Sequence, residues 1–248
     1  MTAPVPDSEW KFFRFYLLVT GKGEEVFSPR LFRSLAENGH CCFKVIGRIG
    51  QRSPITSERR LLKMIGEGKT IPDKDAKEIG LPTRRYLTDN DTFVVLLDDL
   101  EANRASQAEA IYQRYRDALD TMLPEPQQHR ASVHFFVNMI EAYYFADAAA
   151  INCVLGTDLA DYEGDVESIR HPKGDLKELY AGFDEIEHGK DIVARLNVPH
   201  VLSRSETCAA LRTLFGWCSK AIGEAPSERF QLREGQYSNL TKQQIDDL

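Results

Sequence analysis

The stretch Phe93-Val94-Val95-Leu96-Leu97-Asp98-Asp99-Leu100-Glu101 constrains the fold more than any other in the chain. An unbroken apolar run, rich in β-branched residues, ends in three acids within four positions. A run of this kind, without polar alternation, reads as a strand buried on both faces, as in a parallel sheet covered by helices. In open sheets of that type ligands bind beyond the carboxyl ends of the strands. Carboxylates delivered there are well placed to hold a hard cation such as Mg²⁺. Acids at a strand end also cap the helix that follows, and the segment alone leaves both readings open.

The first 150 residues carry the same alternation throughout. Phe12 to Val19 (FFRFYLLV) predicts a first strand, closed by Thr20-Gly21-Lys22-Gly23. Glu24 to Asn38 predicts a helix, with Val26, Phe27, Leu31, Phe32 and Leu35 near helical spacing. Pro29 fits such a helix only in its first turn, and Gly39 is a natural stop. Cys41 to Ile46 predicts a second strand. Residues 47–90 read as an irregular insertion with a helix around Glu58 to Ile65 and turn signals at Gly66, Gly68, Pro72, Gly80 and Pro82. Strand Phe93 to Leu97, helix Arg104 to Met122, strand Ser132 to Val137 and helix Ile140 to Ala150 complete a layered α/β pattern. Beyond Ile151 strand signals fade, and Leu176 to Tyr180, Gly189 to Leu196 and Glu206 to Ile222 predict helices. The expected organisation is an α/β core over 1–150, a helical part over 151–223 packed on it, and a polar tail over 224–248.

Composition excludes some classes of function. At 248 residues, with 42% hydrophobic and 28% charged residues, the chain can bury a sizeable core. It has no apolar run of membrane-span length and no basic start followed by an apolar core, so a cytoplasmic protein is expected. Five scattered cysteines, Cys41, Cys42, Cys153, Cys208 and Cys218, lack the spacing of a zinc site and read as free thiols. A net charge of −7 argues against indiscriminate binding to nucleic acid. Between Lys44 and Lys63, however, Lys44, Arg48, Arg52, Arg59, Arg60 and Lys63 face only Glu58. That segment is either a footprint for phosphates or a solvated face for an acidic partner.

Three constellations carry potential chemistry. Thr20-Gly21-Lys22-Gly23-Glu24-Glu25 puts glycines between a strand and a helix, where backbone N–H groups can approach an anion. It lacks the spacing of a phosphate-binding P-loop or a dinucleotide fingerprint. The helix dipole alone accounts for one acid in its first turn, which leaves Glu24 or Glu25 to face a metal. Glu141, in Val137-Asn138-Met139-Ile140-Glu141-Ala142-Tyr143-Tyr144-Phe145-Ala146-Asp147, has apolar and aromatic neighbours on nearly every side. It either lies on a narrow polar stripe or is buried beside a cation, because a lone buried charge is too costly. His188, before Gly189 at a helix start, is either structural or a phosphate contact.

Taken together these segments resemble the domain-of-unknown-function 4276 family, a group related to TOPRIM domains. Its V-E-G-x-T-E-E-x-F segment is matched by Val19-Thr20-Gly21-Lys22-Gly23-Glu24-Glu25-Val26-Phe27. Its apolar strand ending in aspartate is matched by Leu96-Leu97-Asp98-Asp99, and its H-E-F-E-A-L-L-F-S-D segment by Asn138 to Asp147. The family's later glycine, Cys and F-x-W pair are matched by His188-Gly189, Cys208 and Phe215-Gly216-Trp217. The chain departs from TOPRIM enzymes at Thr20, where they carry a glutamate, at Leu100, the second aspartate of D-x-D, and at Met139, the first glutamate of H-E-F-E.

The resemblance implies a TOPRIM-like layered fold and a Mg²⁺- or Mn²⁺-dependent nuclease that cleaves DNA or RNA. On that reading Glu24, Glu25, Asp98 and Glu141 are catalytic, and Asp98, Asp99 and Glu101 hold metal. Arg48, Arg52, Arg59, Arg60 and His188 then contact nucleic acid. The resemblance also implies a setting in bacterial anti-phage defence beside an SMC- or ABC-like ATPase, with homo-oligomerisation left open. The departures favour an alternative, a catalytically degenerate subunit with a structural or regulatory role.

Overall fold

The computed structural model describes residues 11–37, 39–54, 63–64, 70–71 and 73–223. Among these the strands, in chain order, are β1 (Phe13–Val19), β2 (Cys41–Arg48), β3 (Lys63–Met64), β4 (Thr70–Ile71), β5 (Thr92–Leu100) and β6 (Ala131–Val137). β3 and β4 pair with each other as a small antiparallel ribbon. The other four form the central sheet in the order β2-β1-β5-β6, and every pairing in it is parallel. Helices α1 (Lys22–Leu31) and α2 (Arg33–Ala36) link β1 to β2, and α3 (Leu81–Tyr86) precedes β5. Helices α4 (Ala108–Asp120) and α5 (Glu125–Gln128) link β5 to β6. After β6 come α6 (Ala148–Leu155), α7 (Pro172–Leu179), α8 (Glu187–Arg195), α9 (Val198–Ser203) and α10 (Ala209–Ala221).

The apolar run that opened the argument is the centre of this sheet: all nine residues of β5 are buried. Successive side chains of a strand point to opposite faces, and each face has its own core. Phe15, Leu17 and Val19 of β1 join Phe93, Val95 and Leu97 of β5 against Phe27, Leu31 and Phe32 and the helices that follow β6. Leu18, Val94, Leu96 and Leu100 face the other way, against Ile111, Tyr115 and Leu119 of α4 and Ile79. Each Val or Leu removed from water here contributes about 1.5–3 kcal/mol. The first core is also built from aromatic rings: Phe15, Phe32 and Phe43 stack, and Trp217 of α10 meets Phe15 and Phe93 edge-on. The helical residues after β6 therefore pack on the same face as α1.

Several boundaries differ from expectation for local reasons. Pro29 lies in the last turn of α1, not its first, and α1 stops at Leu31. Its missing N–H removes a helical hydrogen bond just where the helix ends. β5 runs on through Asp98 and Asp99 to Leu100, because both acids keep parallel partners on β6, Phe135 and Phe136. The single helix expected over 140–150 is a 3₁₀ helix, Ile140–Ala146, then α6, broken at Asp147 with φ −140° and ψ 78°. Residues 76–86, read as irregular, form a π turn running into α3, with Gly80 so close to the Ala118 carbonyl that a methyl there would clash. Most of the expected helix around Glu58 to Ile65, and the whole tail 224–248, lie outside the described residues; Lys63–Met64 are strand. All five cysteines are free, with Cys42 and Cys153 exposed. Among the described residues no helix is long and apolar enough to cross a membrane.

Glu167 joins the two ends of the helical part. Its Oε1 accepts from the Tyr143 hydroxyl at 3.0 Å and from the Ala210 N–H at 2.8 Å, at the start of α10. Burial, reinforced by Asp165, pushes its carboxyl from the ordinary 4.5 to about 7. Between those values the folded chain holds a proton that the unfolded chain has released, so stability falls as pH rises through that window. The melting temperature is therefore expected to be higher at pH 5 than at pH 7.5. The expected drop is about 2–4 °C, the size that about 1 kcal/mol produces in a chain of this length. Glu167→Gln should reduce that slope in a thermal-melt series; a slope as steep as wild type would remove Glu167 as its source.

Candidate functional site

The chain leaves β1 towards β2 on one side, while β5 and β6 lie on the other. The order therefore reverses between β1 and β5, and the crevice beyond the carboxyl ends of those two strands is where such sheets bind ligands. Val19 pairs with Leu97, so the turn Thr20-Gly21 and the acids Asp98 and Asp99 arrive at that crevice together.

The two aspartates go to opposite faces. Asp98 is fully buried on the α4 face. It accepts from Thr20 Oγ1 at 2.7 Å, from Tyr115 Oη at 3.0 Å, and from Arg104 through Nη2 at 2.8 Å and Nη1 at 3.4 Å. Both of its oxygens are engaged, and Arg104 neutralises it. Burial and the Asp98 charge push the Tyr115 hydroxyl far above its usual range, so it stays a donor. The residue expected to lead the metal site is instead a satisfied structural anion.

Asp99 faces the α1 side and meets Glu24 from the first turn of α1 and Glu141 from the 3₁₀ helix. The Asp99 carboxyl lies beside that of Glu24, and burial together with that neighbour holds Asp99 well above the usual carboxylate range. Burial raises Glu141 to about 7, against the pull of the Lys173 ammonium. Lys173 Nζ is 3.6 Å from Glu141 Oε1 and 3.0 Å from Glu185 Oε2. Glu24, Asp99 and Glu141 are all buried, and among the described residues no other group donates a hydrogen bond to Glu24 Oε2, Asp99 Oδ1 or Glu141 Oε2 or partners the Tyr144 hydroxyl. Buried polar atoms are almost always partnered, so four such atoms in one neighbourhood mark a place built for something else. Among the described residues, no group of three or more His, Cys, Asp or Glu side chains is placed so that it could hold a metal ion as it stands. The acids are neighbours with a lysine among them.

Local backbone explains how the acids get there. Gly21 caps α1, and a Cβ on it would overlap the Glu24 carboxylate, which folds back over the glycine. Asn138 and Met139 have φ of 55° and 73°, left-handed values rare outside glycine. Such residues cost about 1–3 kcal/mol each and persist where the surroundings over-determine them. Here Asn138 Nδ2 donates to the Glu167 carbonyl at 2.7 Å and the Val137 N–H donates to Tyr143 Oη at 3.2 Å. This reversal turns the chain straight from β6 into the 3₁₀ helix. With three residues per turn, Glu141 and Tyr144 lie on one face of it.

The remaining expected site residues are elsewhere. Glu25 is half-exposed and pairs with Arg48 at 3.7 Å. Glu101 lies past the end of β5, outside the acid cluster. Arg52 is buried with Nε on Asp75 at 2.8 Å, Nη1 on the Gly50 carbonyl at 2.7 Å and Nη2 on Glu78, so each of its nitrogens is already engaged within the protein. Arg59 and Arg60 lie outside the described residues. His188 Nδ1 accepts from the Asp184 N–H at 2.8 Å, and its ring packs on Phe183 and Tyr180. Lys173 and Tyr144 were not singled out by sequence, although Tyr144, three residues from Glu141, carried a positional signal; Gly21 was read as part of a turn approaching an anion, whereas it makes room for Glu24. A cavity of about 510 Å³ lies at the other end of the sheet, near Ser132, Arg116 and Trp217. It has none of the acids, and Arg116 there is held by Asp120 and the Ala131 carbonyl.

A family model described as Domain of unknown function (DUF4276) matches residues 19–214, which include every member of the acid cluster. The chain belongs to the DUF4276 family. Comparisons with curated proteins and with solved structures each returned no match. In this DUF4276 chain the glycine before the paired glutamates has a physical role: Gly21 leaves room for the Glu24 carboxylate.

The two aspartates should separate cleanly on mutation. Asp98→Ala strands the Arg104 charge in the interior and should cost about 3–5 kcal/mol of stability. Asp99→Asn relieves repulsion and should leave the melting temperature equal to or above wild type at pH 7.5. Gly21→Ala should fold but swing Glu24 outward, raising its accessibility to carbodiimide labelling read by mass spectrometry. If Asp98→Ala melts like wild type, the Asp98–Arg104 pair is not the anchor described above.

Proposed function

We propose that this protein is a metal-dependent nuclease that hydrolyses phosphodiester bonds in DNA or RNA. The observation that carries the reading is the set of buried, unpartnered oxygens of Glu24, Asp99 and Glu141 at the crevice between β1 and β5. Hard carboxylate oxygens suit Mg²⁺ or Mn²⁺ in their chemistry; with the Lys173 ammonium beside Glu141 they do not yet form a group that could hold the ion. A bound divalent cation would neutralise charge on the scissile phosphate and lower the pKa of a coordinated water.

The chain's own groups have distinct tasks. Glu24, Asp99 and Glu141 supply the donor oxygens. Glu141 holds a proton up to about neutrality and releases it on ionising, which ties occupancy of the site to pH. Tyr144, kept protonated by burial and by the surrounding acids, has its O–H available to an acceptor brought into the site. Lys173 and Tyr144 are the non-acidic groups through which an anionic substrate would approach. The family resemblance supports a setting in bacterial anti-phage defence, with an SMC- or ABC-like ATPase as partner. The net charge of −7 fits a protein partner and a selective substrate better than tight non-specific binding to long DNA.

A second reading, a non-catalytic assembly subunit, draws on Asp98: the expected leading acid is sealed by Arg104. Cleavage assays on single- and double-stranded DNA, RNA and tRNA with Mg²⁺ or Mn²⁺, with and without the partner, distinguish the two. Wild-type cleavage should be lost with EDTA and fall at least about 100-fold in Asp99→Asn and Glu141→Gln, as for removal of groups central to the transition state. No cleavage by wild type in any of these conditions would leave the subunit reading.

A further inference from the structure

We propose that Lys173 is a built-in occupant of the acid site, and that a divalent cation binds only when its ammonium turns away from Glu141 to Glu185. This rests on the metal reading of the same acids. Glu141, buried among other acids, needs a counter-charge when it is ionised and no metal is present, and Lys173 is the cation beside it, at 3.6 Å. It is held from both sides. Glu141 is sealed inside, whereas Glu185 has 42% of its side chain exposed and stands at the rim, 3.0 Å from the same ammonium. Lys173 itself keeps 30% of its side chain exposed, and four flexible carbons let the ammonium trade one acid for the other. Burial works against its charge, but Glu141 and Glu185 more than offset it and keep the lysine protonated. A fixed positive charge at that distance repels a second cation unless it moves. Lys177, 4.0 Å from the other oxygen of Glu185, competes for the same rim acid and limits how strongly it can draw Lys173 outward.

The test is Mn²⁺ binding to the full chain, stripped with EDTA and followed by isothermal titration calorimetry. Lys173→Met should bind Mn²⁺ about tenfold or more tightly than wild type, the effect of removing one nearby like charge. Glu185→Gln, which takes away the outer position, should bind several-fold more weakly. In the double variant the Glu185→Gln effect should vanish, because no lysine remains to be moved. Lys173→Arg keeps the charge and should stay at or below wild-type affinity, which preserves the test if Lys173→Met does not fold. Unchanged or weaker binding by Lys173→Met overturns the competition. A Glu185→Gln effect that persists without Lys173 overturns the exchange of position. If no variant and not the wild type bind Mn²⁺, the metal reading itself fails and this inference with it.

Discussion

A carboxylate with no exposed surface has to be neutralised where it stands, and the arrangement around Asp98 depends on that requirement. Tyr115, Arg104 and Thr20 converge on it from α4, from the loop after β5 and from the turn after β1. One buried anion is thus tied to three chain segments lying up to 78 positions from it. Arg104 reaches further, donating to the Arg52 carbonyl at 2.8 Å and to the Asp99 carbonyl. The floor of the crevice is thereby fixed before any ligand is considered. Breaking such a buried pair is far more costly than its presence is stabilising, so the value of Asp98 is positional.

Against that rigid floor, the acids on the opposite face of the strand are left unsatisfied. The contrast is a matter of one residue: adjacent positions on a strand face opposite ways. Asp98 is paired to completion, whereas Asp99 meets two further carboxyls and one distant lysine. Thr20 acquires a purpose in this light. A glutamate there would add a charge beside Asp98, while the threonine hydroxyl satisfies one of its oxygens. Glu24, one helical turn further on, brings its carboxylate back to the crevice over Gly21. The acid is delivered from a helix instead of from the strand end.

The sheet was largely legible in the sequence because each central strand is a compact apolar run and the connecting segments carry helical spacing. Its parallel nature followed from the same feature, the absence of alternation in residues 93–97. That absence also hid the site's parity. A strand buried on both faces gives no pattern to tell which of Asp98 and Asp99 shares a face with Glu141. Met139 in a left-handed conformation has no composition signal, since glycine is the residue expected there. Lys173 reaches Glu141 across 32 positions through packing alone, and its own surroundings, His171-Pro172-Lys173-Gly174, describe only a helix start. Pro29 misled because α1 ends two residues after it, so the hydrogen bond its missing N–H removes is lost where little helix remains.

Arg52 closes a loop as well as filling a gap. Its guanidinium joins Asp75 and Glu78, which lie 23 and 26 residues further along the chain, and Arg114 of α4 grips Asp75 from the other side at 2.5 Å. The two ends of the intervening stretch are thus clasped at the base, against the sheet and not at the tip. The entropy of closing a loop grows only with the logarithm of its length, so what lies between the ends can lengthen, shorten or change sequence with little effect on the strands beneath. Evolution is given a cassette position. The enclosed stretch is free to vary while Arg52, Asp75 and the acid crevice stay in register.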